Sequence, residues 1–356
     1  QTENQLIRPG VSVGVAEVDI CRPHFKDPDL QAIMRLADYA LYHSKRAGRG
    51  RVTLADTPIV SRFVEYRAIV EELRRASHSN SLAIFLQPKF ELDGLNACGF
   101  EALVRWRRGD RLVQPDEFIE IAEENGLISE IDHWVLDQAV RLIHDYNQQN
   151  GTEYGINVNI SSVNLGSYLI VNVVKDVLKS AGLPAGLLTL EINEGALSLH
   201  RGNAEAVIGE LRALGVRLAV DDFGSGQAPF VSIRQLRPDE LKIDRCLVAD
   251  IATSEEARFV LERVISLGIG LGIDVVVEGV ETQAEAQLVS AMGCKLGQGF
   301  FWGLPEPASQ ALERASRGHI RISEEREARQ DAEWEDVARG QERDPIDGER
   351  IRRKLS

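Results

Sequence analysis

The sequence lacks a metal-binding thiol pattern. Its four cysteines, Cys21, Cys98, Cys246 and Cys294, are scattered, with no CxxC pair and no Cys/His cluster. That spacing argues against structural zinc and fits reduced thiols, with one buried disulfide left open. Long apolar runs are also missing. The most apolar window, Val264 to Ile273, is broken by glycines and falls short of the ~20 residues a helix needs to cross a bilayer. Basic charge is in deficit: 41 Lys and Arg stand against 55 Asp and Glu, for a net charge of −14. Such a surface repels duplex DNA and anionic membranes, so an anionic ligand needs a local site with cations to hold it. Neither a signal peptide nor a lipid anchor is visible, and the expected location is the cytoplasm. The chain begins at Gln1 rather than Met, as expected of a fragment whose parent could carry a membrane-anchored or sensor segment.

What is present is ordinary for a soluble protein. The 356 residues are 44% hydrophobic and 27% charged, with room for one large domain and smaller pieces. Residues 1–56 form a small α/β piece. It has a strand at Val11–Ala16, a helix from about Leu30 to Ala47 with Ile33, Leu36, Ala37, Ala40 and Leu41 in its apolar stripe, and a strand at Arg51–Leu54. This piece is too small to bury a core alone. Residues 57–80 are a linker and helix, with Phe63, Tyr66, Val70 and Leu73 on one stripe. The helix is expected to pack on the domain that follows, or to act as a signalling or dimer helix. Residues 313–356 are dominated by Arg, Glu and Asp, which predicts a solvated helix or a disordered tail.

Between them, residues 81–312 read as an α/β domain, a (β/α)8 TIM-like barrel. Strands are expected at Ala83–Gln87, Gly99–Val104, Gly155–Ile160, Leu188–Ile192, Arg217–Val220, Glu240–Ile243, Asp274–Val277 and Gly297–Phe300, with helices between most of them. An open doubly wound sheet is the competing architecture, but no glycine-rich dinucleotide loop follows the first strand.

Acids and amides gather at the strand ends. Glu101 lies inside the second strand, and Asn157 and Asn159 in the third. Glu191 and Glu194 flank the end of the fourth, and Asp221 and Asp222 end the fifth. Lys242 and Asp244 end the sixth, Glu278 and Glu281 the seventh, and Gln298 opens the last. In a barrel these ends converge on one face. Crowded carboxylates repel unless cations neutralise them, and oxygen ligands favour hard cations such as Mg²⁺ or Mn²⁺. Neighbouring side chains on a regular strand point to opposite faces, so Asp221 and Asp222 share a site only if the strand has ended and Phe223-Gly224-Ser225-Gly226 turns the chain. A carboxylate shared between two metals about 3.5–4 Å apart suits phosphoester hydrolysis. Lys242 could then hold the attacking water or neutralise charge, and Glu278 could take its proton. Taken singly, each acid also reads as a cap or an ion-pair partner, and the joint pattern alone also fits enolase-type proton abstraction.

At these residues the sequence resembles the EAL-domain cyclic-di-GMP phosphodiesterases, over about Leu73 to Pro307. The likeness rests on Gln87-Pro88, Glu101-Ala102-Leu103-Val104-Arg105-Trp106, Asn157-Val158-Asn159-Ile160-Ser161 and Leu190-Glu191-Ile192-Asn193-Glu194. It continues through Asp221-Asp222-Phe223-Gly224-Ser225-Gly226, Leu241-Lys242-Ile243-Asp244-Arg245, Glu278-Gly279-Val280-Glu281-Thr282 and Gln298-Gly299-Phe300. It implies hydrolysis of cyclic-di-GMP to the linear dinucleotide pGpG with two Mg²⁺ or Mn²⁺ ions. By that resemblance Glu101, Asn159, Glu191 and Asp221 bind the first metal, and Asp221 and Asp222 the second. Lys242 positions the water and Glu278 is the general base. Gln87, Arg105 and Asp244 contact substrate, and Glu194, Glu281 and Gln298 support the ligands or anchor loops.

Two departures stand out. Asn193 replaces the family's usual Thr, a mild change. After Gly226 the chain reads Gln227-Ala228-Pro229-Phe230, where the family has an aromatic residue, two small polar residues and Leu. In the family this loop is associated with dimerisation, here a homodimer through the barrel, and with organising the metal site. The altered loop keeps a second reading open, a cyclic-di-GMP receptor of the same fold with weak or no turnover. The first piece resembles the closing part of a GGDEF diguanylate cyclase domain through Leu36-Ala37-Asp38-Tyr39-Ala40-Leu41-Tyr42, Ser44-Lys45-Arg46 and Gly48-Arg49. The cyclase signature loop is absent, so synthesis of cyclic-di-GMP is not expected.

Overall fold

The structure, a computed structural model, describes residues 10–17, 30–93, 96–193, 201–225, 233 and 236–316. The chain divides into two compact units, Gln1–Leu82 with Asp116–Leu127, and Ala83–Pro115 with Ile128–Ser356.

In the first unit, strand β1 (Val13–Val15), helix α1 (Leu30–Arg46), strand β2 (Val52–Leu54) and helix α2 (Thr57–Ala76) follow in order. β1 and β2 pair in parallel, Val13 opposite Val52. A Cβ on Gly14 would lie 2.1 Å from the Ala37 carbonyl, so only glycine lets α1 lie this close to the strand. Helix α2 starts where Asp56 accepts from the Ile59 amide, with proline in its first turn. Its Val60 and Phe63 join Leu36, Ala40 and Ala55 in one buried cluster. The helix thus supplies apolar surface that the short strand–helix–strand piece lacks.

The second unit is the barrel. Its first strands are β3 (Leu82–Glu91), β4 (Asn96–Arg108) and β5 (Arg111–Val113), followed by helices α3 (Pro115–Glu124, grouped with the first unit from Asp116) and α4 (Ile128–Asn150). Then come β6 (Gly155–Ile160), α5 (Ser162–Leu165), α6 (Leu169–Ala181), β7 (Leu188–Asn193), α7 (Arg201–Ala213), β8 (Arg217–Phe223) and β9 (Glu240–Ile243). The chain continues through α8 (Glu255–Gly270), β10 (Asp274–Val277), α9 (Gln283–Ala291), β11 (Leu296–Gly297), β12 (Glu306–Pro307) and α10 (Ala308–Ser316).

Strands β3, β4, β6, β7, β8, β9, β10 and β11 form a closed ring, because β3 bonds both β4 and β11. Closure rules out the open doubly wound sheet. All eight expected strands are present, six of them within a few residues of the expected limits. β4 runs well past both expected ends, and β11 covers only Leu296–Gly297. The ring departs from a uniform (β/α)8 repeat in one respect. β3 runs antiparallel to β11, whereas β4 and β6 to β11 pair in parallel. Two consecutive strands of opposite direction need only a short hairpin, and a turn after Glu91 replaces the first helix. β5 and β12 lie outside the ring, on β4 and β3.

On β9 and β10 one face of the strands packs outward against the helices. Ile243, Val275 and Val277 pack with Val248, Ile251, Leu261, Ile265 and Val289 in one buried cluster. By the two-residue period of strands, their neighbours Glu240, Lys242 and Val276 face the barrel axis. Cys98, Cys246 and Cys294 are free thiols, and Cys21 lies outside the described residues. Among the described residues no helix is long and apolar enough to cross a membrane. The charged tail from residue 317 onward, Glu194 and the loop from Gly226 to Phe230 also lie outside them.

Helix α8 allows a matched test of this packing. A Cβ on Gly268 would meet the Val275 Cγ2 at 2.4 Å, whereas one on Gly270 meets nothing. Gly268→Val is expected to destabilise by about 1–3 kcal/mol through overpacking. Gly270→Ala is expected to be neutral or to stabilise by up to about 0.5 kcal/mol. Denaturant midpoints of the two variants measure the difference.

Candidate metal centre

Alternation on the strands turns a set of distant residues into one cluster. Glu101, Asn159, Glu191, Asp221 and Lys242 come from β4, β6, β7, β8 and β9, with Glu278 and Gln298 just past the ends of β10 and β11. Lys242, 1% exposed, stands at the centre. Its Nζ lies 2.8 Å from Glu191, 2.8 Å from Glu278, 3.1 Å from Asp221 and 3.2 Å from Glu101. Burial alone would lower the pKa of this ammonium, but Asp221 and the three glutamates outweigh burial and hold it well above the usual lysine range.

The carboxylates carry the complementary strain. Burial, then Glu101, pushes Glu191 well above the usual carboxylate range. Burial raises Glu278 to about 8, with Lys242 opposing and Asp221 adding. Burial and then Asp221 raise Asp222 to about 6. Glu101 would also be raised by burial, but Lys242 and the Gln298 amide together hold it below its ordinary value. The Asn159 amide nitrogen donates to Glu101 at 3.1 Å and to Glu191 at 3.0 Å, which leaves its carbonyl oxygen as a ligand atom. Gln298 donates to Glu101 at 2.7 Å and to Gln87 at 3.1 Å, and Gln87 donates to the Gly303 carbonyl.

Both aspartates reach the cluster by a route the sequence reading did not foresee. The strand does not end at Asp221. β8 continues to Phe223 with a register shift against β9 between Val220 and Phe223, and Asp222 takes the left-handed backbone at φ +56°. A bulge thus replaces the expected turn and re-aims one side chain. Across the sheet, Asn193 donates to Asp222 Oδ2 at 2.7 Å.

These residues fit a divalent cation. Ligand oxygens of Asp221, Asp222 and Glu278 lie within 4.8 Å of one another. Asp221 Oδ1 is buried and accepts no hydrogen bond, although Lys242 is within ion-pair distance of it. The cluster holds five carboxylates (Glu101, Glu191, Asp221, Asp222 and Glu278) against one ammonium. When all are ionised, the four charges left over equal those of two divalent ions.

A cavity of about 280 Å³ opens on the cluster, lined by Gln87, Glu101, Asp221, Asp222, Lys242, Asp244, Glu278, Glu281 and Gln298 among others. Asp244 caps the turn after β9 by accepting from the Cys246 amide. Arg105 is buried, with its guanidinium over the Phe85 ring and a bond to the Val104 carbonyl, and is not among the cavity-lining residues. Arg245, which the sequence offers as an ion-pair partner of Asp244 and not as a site residue, lines the cavity and pairs with Glu281 at 3.4 Å. Sequence reasoning passed over Lys89 and Glu240, both buried beneath the cluster. Their signal was the strand period: Glu240 stands two residues before Lys242, and Lys89 two after Gln87.

Fold and site together define a barrel with an acidic mouth whose carboxylates could hold a cation. Residues 70–305 match the EAL domain family, and the chain belongs to that family. It is 31% identical over 281 residues to the bifunctional diguanylate cyclase/cyclic di-GMP phosphodiesterase MucR of Pseudomonas aeruginosa, covering 79% of this chain and 41% of that one. It is 34% identical over 290 residues to the cyclic di-GMP phosphodiesterase NbdA of the same organism, covering 81% of this chain and 37% of that one. The chain thus spans about two-fifths of the length of these curated relatives. Among solved structures, the PaMucR phosphodiesterase in its c-di-GMP complex is 31% identical with a TM-score of 0.65, covering 68% of this chain and 99% of that one.

Charge crowding has a cost that can be measured. Asp222→Asn is expected to stabilise the metal-free protein by about 1 kcal/mol, a figure already reduced for partial solvent screening. Because the folded-state pKa of Asp222 is raised from 3.8 to about 6, the gain is full above pH 6 and vanishes below about pH 4. Denaturant unfolding in chelator at pH 4 and pH 7.5 checks the sign.

Proposed function

We propose that the chain is a phosphodiesterase that hydrolyses cyclic-di-GMP to linear pGpG, using two Mg²⁺ or Mn²⁺ ions. The observation that carries this reading is the convergence of Glu101, Asp221, Asp222, Glu278 and Lys242 on one cavity, with Glu191 against Lys242 and Asn159 bonded to Glu101 and Glu191. The relatives' activities and the ligand of the solved neighbour support the choice of substrate.

In this reading Glu101, Asn159, Glu191 and Asp221 hold one ion, and Asp221 and Asp222 the other. When bound, the cations lower the pKa of water and offset charge on the phosphoryl oxygens. Lys242 orients the attacking water and compensates charge that develops at phosphorus. Glu278, on the cavity wall and 2.8 Å from Lys242, is placed to take the water's proton as the P–O bond to the leaving sugar oxygen breaks. Gln87, Arg105 and Asp244 contact the dinucleotide. Gln298 holds Glu101 and Gln87 in register, while Glu194 and Glu281 anchor the mouth loops. We read the first unit, with its parallel strands and α1, as the closing part of a GGDEF-type domain.

The sequence Gln227-Ala228-Pro229-Phe230 favours one alternative, a receptor that binds the same dinucleotide with little turnover. A single assay separates the two. Cleavage of cyclic-di-GMP in Mn²⁺ is expected to be lost by a factor of about 100 or more in Glu101→Ala, which removes a ligand and an Asn159 partner. Ca²⁺ is expected to inhibit, because its looser coordination misplaces the water. Calorimetric binding of cyclic-di-GMP with no turnover at saturating substrate and metal would replace the enzyme with the receptor.

A further inference from the structure

Beneath the metal cluster, on its side away from the mouth, lies a second polar layer. Lys89 Nζ is 2.6 Å from Glu240 Oε2 and donates to Asn157 Oδ1 at 3.1 Å. The Asn157 amide nitrogen donates to Glu240 Oε1 at 2.7 Å and to Glu191 Oε1 at 2.9 Å. All three residues are buried, with Glu240 only 1% exposed. We infer that the buried Lys89–Glu240 pair is a positioning device that acts through Asn157 to hold the Glu191 carboxylate in its metal-binding orientation. This rests on the reading of Glu191 as a metal ligand.

The geometry constrains the amide completely. Lys89 can only donate and Glu240, 2.6 Å from it, accepts, so Asn157 turns its oxygen to the first and its nitrogen to the second. Turned so, it presents its other N–H to Glu191 Oε1, while Asn159 donates to Oε2. Both Glu191 oxygens are then fixed before any cation arrives. An ion pair placed here for stability alone would be a poor choice, because well-packed apolar residues in its place are often as stable or more so. What they cannot reproduce is the fixed orientation of Asn157.

The test is calorimetric titration of Mn²⁺ into the metal-free full chain, without nucleotide, with thermal unfolding measured beside it. The double variant Lys89→Met/Glu240→Leu is expected to unfold at or above the wild-type temperature yet bind Mn²⁺ roughly 10–100-fold more weakly. Asn157→Leu is expected to show the same loss, and it leaves the ion pair intact should the double variant fail to fold. Thr189→Val, a buried change in the same layer with no bond to Glu191, is expected to bind as wild type. Wild-type Mn²⁺ affinity in both the double variant and Asn157→Leu, with Glu191→Gln impaired, overturns the inference alone. Wild-type affinity in Glu191→Gln overturns the metal-ligand reading and this inference with it.

Discussion

One buried ammonium makes the centre of this protein possible. Without Lys242, Glu101, Glu191, Asp221 and Glu278 would face one another across the barrel axis with no opposing charge among them. Four carboxylates at that separation would take up protons or push the strands apart. With Lys242 present they stay close, but incompletely neutralised, and the pKa values of Glu191, Asp222 and Glu278 remain raised. The site is therefore held in a state that a divalent cation relieves. Ligand affinity and local instability are two faces of the same charge imbalance.

The fold was legible where one rule decides it. Short strands between helical segments were expected at every ring position, and β6, β9 and β10 have their expected limits. Helix starts were less sharply marked: the capping box of Thr282 with Glu285 that opens α9 shows only in the structure. Strand direction was not legible. Nothing local in Ala83–Gln87 says whether that strand runs with or against its neighbours, because direction follows from the length of the connection after Glu91 and from closure onto β11. The grouping of α2 with the first unit was hidden for the same reason. An apolar stripe states that a helix must be covered, not by what.

The site was legible in its upper layer and opaque in its lower one. Strand-end acids announce themselves because they interrupt an apolar pattern where barrels keep their chemistry. Lys89 and Glu240 interrupt the pattern just as clearly, but in the middle or at the start of a strand, where an isolated charge reads as a solvated face. Only the register that sets Glu240 one inward step below Lys242 shows that the charge faces the axis. The Asp221-Asp222 pair posed the converse problem. Its shared orientation required a backbone irregularity, and the sequence offered a turn at Phe223-Gly224 as the obvious one. The irregularity is instead at Asp222 itself, where a left-handed residue and a register shift keep the strand going. Asp tolerates that conformation better than a branched apolar residue would, so the same side chain that serves as a ligand candidate also permits the bulge that aims it.

The two faces of the barrel wall divide the work. Along β9, Leu241 and Ile243 are fully buried on the helix side, while Glu240 and Lys242 are buried on the axis side. Desolvating the axis pair opposes folding unless every charge finds a partner, whereas desolvating the outer pair drives it. An interior of charged layers therefore needs an outer shell apolar enough to support it. The cluster of Val275, Val277, Leu261, Ile265 and Val289 against Ile243 is that shell for the β9–β10 wall. It follows that alternate residues of a single strand answer to different constraints. Outward positions are limited by volume and shape, so that isosteric apolar exchanges are tolerated there. Inward positions are limited by charge and hydrogen-bond polarity, so that even a change of equal size, carboxylate to amide, redirects the network around it.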